Sequence, residues 1–134
     1  MTQPAHQTTY QIGEVTERVG LSMRTVRYYE EVGLVVPSDR TSGGFRLYTD
    51  ADIERLTMAR ELKPLGFSLD EVREILDLIE AREAGHDLDH DQTAKLAAYT
   101  TEATNRYQRL RDRVAAADRI ARRMRRLTNS APPA

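Results

Sequence analysis

Arg24, Arg27 and Tyr28 stand at i, i+3 and i+4, the spacing that gathers three side chains on one face wherever the backbone is helical. Two guanidiniums beside a phenol suit one chemistry well. Arginine donates in a planar fork to phosphate oxygens or to the edge of guanine, and a tyrosine hydroxyl bonds phosphate. Arg40 and Arg46 flank a glycine-rich stretch further on, and Arg60 and Lys63 follow it. Each cation alone reads equally well as a solvated charge, because Glu30, Glu31, Asp50, Asp52 and Glu54 offer local ion pairs. Their convergence on one short region favours contact with a nucleic acid.

A second cluster, HDLDHD at 86–91, sets His86, Asp87, His90 and Asp91 at i, i+4 spacing. That set suits a borderline metal such as zinc, and it equally suits an acidic linker that caps a helix. No nucleophile, base and orienting group gather at a recognisable spacing, so neither an enzyme nor a bound cofactor is expected. With no cysteine in the chain, disulfides, thiolate catalysis, iron–sulfur clusters and thiol redox sensing are excluded.

The elements that must position these residues are announced by their start signals. Ser22 is an N-cap bracketed by Leu21 and Val26, the spacing of a hydrophobic staple, and predicts a helix over 23–32. Val26 and Tyr29 face its core side. Thr49 repeats the pattern with Tyr48 and Ile53, and Asp50 and Asp52 favour the positive helix end, predicting a helix over 50–63. Ser68 and Glu71 form a capping box with Phe67 and Val72 as staple, for a helix from Leu69 to Glu80. The first helix, Ile12 to Val19, is capped less well by Gln11 and ends at Gly20. Only a tight turn fits between Gly20 and Ser22, so the first two helices pack as a helix-turn-helix around Ile12, Val15, Val19, Leu21 and Val26. Beyond Gly33 the pattern becomes a small β-hairpin, turned at Thr41, Ser42, Gly43 and Gly44. A hairpin directly behind a helix-turn-helix is a wing.

From residue 91 to 127 a different pattern runs. Leu96, Ala103, Leu110, Ala117 and Met124 recur every seven residues, with Tyr99, Tyr107, Val114, Ile120 and Leu127 between them. Such a helix is roughly 50 Å long at about 1.5 Å per residue, too long for a small core, and its stripe needs a partner helix. The simplest partner is a second copy of the chain. Nine arginines between Arg106 and Arg126 crowd the distal part, whereas Glu80, Glu83, Asp87, Asp89 and Asp91 lie at its start. Antiparallel pairing brings unlike charges together and is therefore expected.

Composition agrees without deciding. The 134 residues fit one compact domain plus one long element, and the net charge of −1 gives no global pull toward nucleic acid. No apolar run reaches the length of a signal or membrane segment, which points to the cytoplasm and to no membrane partner. The expected fold is mainly α: a winged helix-turn-helix of four short helices and a hairpin, then a long antiparallel coiled-coil dimerisation helix. Its parts are a flexible arm (1–9), a DNA-binding domain (10–80), a linker (81–90), a dimerisation helix (91–127) and a flexible tail (128–134).

The segments IGEV (12–15), GLSMRTVRYYEEVGLV (20–35), GGFRLYTDADIERL (43–56) and LGFSLDEVREIL (65–76) together resemble the MerR family of transcription regulators. The resemblance covers essentially all of 10–80, and the long terminal helix is similar to that family's antiparallel dimerisation helix. It implies a homodimer that binds a pseudo-palindromic promoter operator, bends and untwists it, and realigns the promoter for RNA polymerase. By position it makes Arg27, Tyr28, Arg46 and Lys63 contacts to bases or backbone. Phe45 stands where the family usually has tyrosine, and lacks a hydroxyl. Family members that sense thiophilic metals or redox state do so with cysteines, so the effector here is unidentified. Two alternatives share parts of this pattern: a DNA-bending architectural or excisionase-like accessory factor, and a coiled-coil adaptor for protein contacts.

Overall fold

A computed structural model describes residues 8–37 and 39–130. The chain divides into two compact units between Leu88 and Asp89.

In the first unit the helix-turn-helix consists of α1 (Ile12–Val19) and α2 (Met23–Glu31). Gln11 makes no side-chain cap bond, whereas the Ser22 hydroxyl accepts from the Thr25 N–H. Gly20 ends α1 with φ +70°, a left-handed conformation that glycine adopts without steric cost. The next helices are α3 (Asp50–Leu62) and α4 (Leu69–Glu83), both opened by complete capping boxes, Thr49 with Asp52 and Ser68 with Glu71. A single 3₁₀ turn, Lys63–Leu65, joins them. Pro64 lies inside it and stops the α-helix one residue earlier than expected. Helix α4 runs three residues past the expected Glu80, because Ala81, Arg82 and Glu83 are helix-compatible and no breaker precedes Gly85.

The hairpin is part of a three-stranded antiparallel sheet. Strand β1 (Thr9–Tyr10) pairs with β3 (Arg46–Thr49), and β3 pairs with β2 (Asp39–Arg40). The register sets Tyr10 against Tyr48 and Arg40 against Arg46. Thr9, expected in the flexible arm, is a strand residue; the rest of that arm, apart from Thr8, lies outside the described residues. The Tyr10 hydroxyl donates to Asp50 at 2.8 Å and the Arg18 guanidinium stacks 4.4 Å from its ring centre, which ties β1 to α3 and α1.

The core is formed by Val15, Val19, Val26, Tyr29, Leu34, Tyr48, Leu56, Phe67, Val72 and Leu76, all buried. Ile12 and Leu21, expected among them, are only half-buried because they lie at the two edges of the helix pair. Three arginines bind the helix-turn-helix to the later helices. Arg60 donates to the Val19 carbonyl at 2.8 Å, Arg73 to that of Val32, and Arg55 to that of Leu34. The first two carbonyls are at the C-terminal ends of α1 and α2, where cations satisfy orphan acceptors and complement the helix dipole. Arg55 also bonds Glu80 at 2.8 Å and Asp77 at 2.9 Å, joining α3 to α4.

The second unit is α5 (His90–Asn129), 40 residues and about 60 Å long at about 1.5 Å per residue. It starts one residue before and ends two residues after the expected 91–127, so the expected tail begins inside it; residues 131–134 lie outside the described residues. Asp89 and Gln92 make a capping box at its start.

Replacing Arg55 with Ala removes three charged donors and leaves the Leu34 carbonyl unsatisfied. Because Asp77 and Glu80 are partly exposed, the expected loss is about 2 kcal/mol, read as a lower urea midpoint at unchanged slope.

Candidate nucleic-acid interface

Helix α2 separates its two faces as its spacing predicts. Val26 and Tyr29 are buried, while Met23, Arg24, Arg27, Tyr28 and Glu31 are exposed or nearly so and line one shallow concavity of about 690 Å³. Among the described residues the Arg24 and Arg27 guanidiniums have no carboxylate or carbonyl partner. They are therefore open to an anion, and the Tyr28 hydroxyl beside them, on a ring 48% exposed, is open too.

The other cations are placed differently. Arg40 is exposed on β2, with one long bond of 3.5 Å to the Gly44 carbonyl of its own hairpin. Arg46 is half-buried and ion-paired with Glu30 of α2. Arg60 reaches across Gly20 to the Val19 carbonyl, so close that a Cβ on Gly20 would lie 3.0 Å from its guanidinium. Lys63 donates to the Phe67 carbonyl at 3.1 Å. The structure thus brings Arg24, Arg27 and Tyr28 together on one face and gives Arg46, Arg60 and Lys63 partners inside the fold. Phe45, at the hairpin turn, is 64% exposed. That turn is closed by the Thr41 side chain and by Gly44 at φ +85°.

Sequence reasoning named Glu30 only as a local ion-pair candidate and missed that, from the last turn of α2, it reaches the wing. The Tyr48 hydroxyl donates to its carboxylate at 2.8 Å, and Arg46 pairs with the other oxygen. The signal that existed was the i, i+2 spacing of Arg46 and Tyr48, which sets both on one side of a strand. Burial, and then the bond to Glu30, push the Tyr48 phenol above its ordinary value.

Among the described residues no three His, Asp or Glu side chains gather as a metal site would require. The carboxylate of Asp89, within HDLDHD, accepts from the Gln92 N–H at 2.8 Å, as a helix cap does. On α5, Leu96, Tyr99, Ala103 and Leu110 are half-buried. Tyr107, Val114, Ile120, Met124 and Leu127 are each more than half exposed, and Ala117 lies among them.

This geometry is a winged helix-turn-helix with an open basic face. Residues 10–79 match the family described as MerR HTH family regulatory protein, and the chain belongs to that family. It is 47% identical over 68 residues to the HTH-type transcriptional activator mta of Bacillus subtilis, covering 51% of this chain and 26% of the relative. It is 44% identical over 69 residues to the HTH-type transcriptional regulator ZntR of Escherichia coli, covering 52% of this chain and 49% of the relative. The matched stretch thus spans between a quarter and a half of these relatives' lengths. Among solved structures, the N-terminal part of the B. subtilis multidrug transporter activator, MtaN, superposes with a TM-score of 0.53 at 35% identity, over 84% of this chain and 97% of that one.

Ionisation of Tyr48 gives a test of the α2–β3 junction. Its folded pKa lies above the unfolded value of 10.0, so its contribution is complete below that pH and is lost as pH rises toward the folded value. The melting temperature is expected to fall as pH rises above about 10, and to fall less steeply in Tyr48→Phe.

Proposed function

We propose that the protein is a transcription regulator that binds double-stranded DNA as a homodimer at a pseudo-palindromic promoter operator. The observation that carries this reading is the open Arg24–Arg27–Tyr28 face on the second helix of a helix-turn-helix. A helix so placed enters the major groove, where arginine reads guanine and the flanking cations hold phosphates. Arg24 and Arg27 are the base or phosphate donors, Tyr28 a phosphate donor, and Arg40 a backbone contact of the wing. Arg60 and Lys63 keep their internal bonds and add charge near the duplex, and Arg46 meets the backbone from the wing while paired with Glu30.

Helix α5 calls for a second copy of the chain. Five large apolar side chains lie exposed along it, and burying each contributes roughly 1.5–3 kcal/mol. Leu96, Tyr99, Ala103, Tyr107, Leu110, Val114, Ala117, Ile120, Met124 and Leu127 form the seam, with the helices antiparallel so that the arginine-rich part of one nears the acidic start of the other. Two recognition helices then meet one duplex, and bending or untwisting of the operator sets the promoter geometry that RNA polymerase meets. The protein acts by binding rather than by catalysis, in the cytoplasm. Among the described residues no helix is long and apolar enough to cross a membrane.

Selection of bound fragments from genomic DNA would identify the operator. On that operator at fixed salt, Arg27→Ala is expected to weaken binding by about 1–3 kcal/mol while the sedimentation of the free protein stays unchanged. Unaltered affinity would remove α2 from the interface.

A further inference from the structure

Glu30 sits at the C-terminal end of α2, the negative end of the helix dipole, where a carboxylate is disfavoured unless something outside the helix compensates it. The compensation comes from β3. The Tyr48 hydroxyl donates to Oε2 at 2.8 Å and the Arg46 guanidinium pairs with Oε1. Tyr48 is fully buried, whereas the Arg46 side chain keeps 38% of its surface and that of Glu30 only 14%. One carboxylate therefore joins the recognition helix to the wing through a buried phenol and a cation that still reaches the surface. Arg40 lies opposite Arg46 across the hairpin, so without Glu30 the wing would carry two adjacent uncompensated charges.

Resting on the DNA-binding reading above, we propose that Glu30 is a positioning residue for DNA binding that holds Arg46 against α2 and withholds one wing charge from indiscriminate contact with phosphate. Non-specific affinity is set by how many cations neutralise phosphates and release counterions. An arginine already balanced by a part-buried carboxylate adds little to that number. Its hydrogen bonds still become useful on a duplex whose backbone meets the wing while its groove accepts α2, because Glu30 fixes the two elements in one frame. The pair therefore favours discrimination over bulk affinity.

The test compares wild type, Glu30→Gln, Arg46→Ala and the double variant, binding the selected operator and a random duplex across a salt series. Glutamine keeps the acceptor for Tyr48 and removes only the charge. In Glu30→Gln the random duplex is expected to bind several-fold tighter, the slope of log K against log salt to steepen by up to about 0.9, and the ratio of specific to non-specific binding to fall. Adding Arg46→Ala should abolish that gain, whereas Arg46→Ala alone should change the slope little. A merely structural role for Glu30 would weaken both duplexes without steepening either slope. That result, or an equal slope change for Arg46→Ala with and without Glu30, overturns the proposal. Wild-type protein that bound no duplex at all would instead overturn the DNA-binding reading, a distinct result.

Discussion

Two helices of eight and nine residues are too short to hold together in water by their own hydrogen bonds, so the recognition face depends on other elements that pack against α1 and α2 and satisfy their ends. Arg60 and Arg73 do so at the Val19 and Val32 carbonyls, and Arg55 does the same for the chain just after α2 at Leu34. Each is a long cation from α3 or α4 with its head on a backbone acceptor. This division of labour explains why some arginines face outward and others do not. The guanidiniums that fix the scaffold come from the later helices, and those left open to an anion come from α2 itself.

The same logic extends to the wing. A strand pair as short as Asp39–Arg40 against Arg46–Thr49 has little stability of its own. It is held by β1, which pairs with β3, and by Glu30 from α2, which bonds the Tyr48 and Arg46 side chains. The wing and the recognition helix are consequently joined, and carry two kinds of cation, those that are free and the one that a carboxylate balances.

Much of this is legible in the sequence, and the reason is local. Ser22, Thr49 and Ser68 are cap residues whose partners lie three residues on, so helix starts can be read from short windows. The alternation of faces in MRTVRYYEE separates Val26 and Tyr29 from Arg24, Arg27 and Tyr28 by helical period alone. The heptad stripe of α5 declares itself for the same reason. Asp89 and Gln92 carry the same cap signal, yet the heptad reading starts α5 one residue late. What is not legible is long-range. Two residues, Thr9 and Tyr10, are too few to show a strand period, and β1 is defined only by its partner β3. Which arginine reaches a carbonyl forty residues away, as Arg60 and Arg73 do, depends on how α3 and α4 pack. The Glu30–Arg46 pair joins α2 to the wing strand β3, and the spacing of Arg46 and Tyr48 sets both on one side of the strand without naming their partner.

The account rests on two identical recognition surfaces meeting one duplex at a separation fixed by the pairing of α5. Hydroxyl-radical footprinting of the selected operator measures that separation most directly. Two protected half-sites related by approximate dyad symmetry, on one face of the duplex and centred a whole number of helical turns apart, are expected. A single protected patch of half that extent, unchanged as protein concentration rises through saturation, would contradict it.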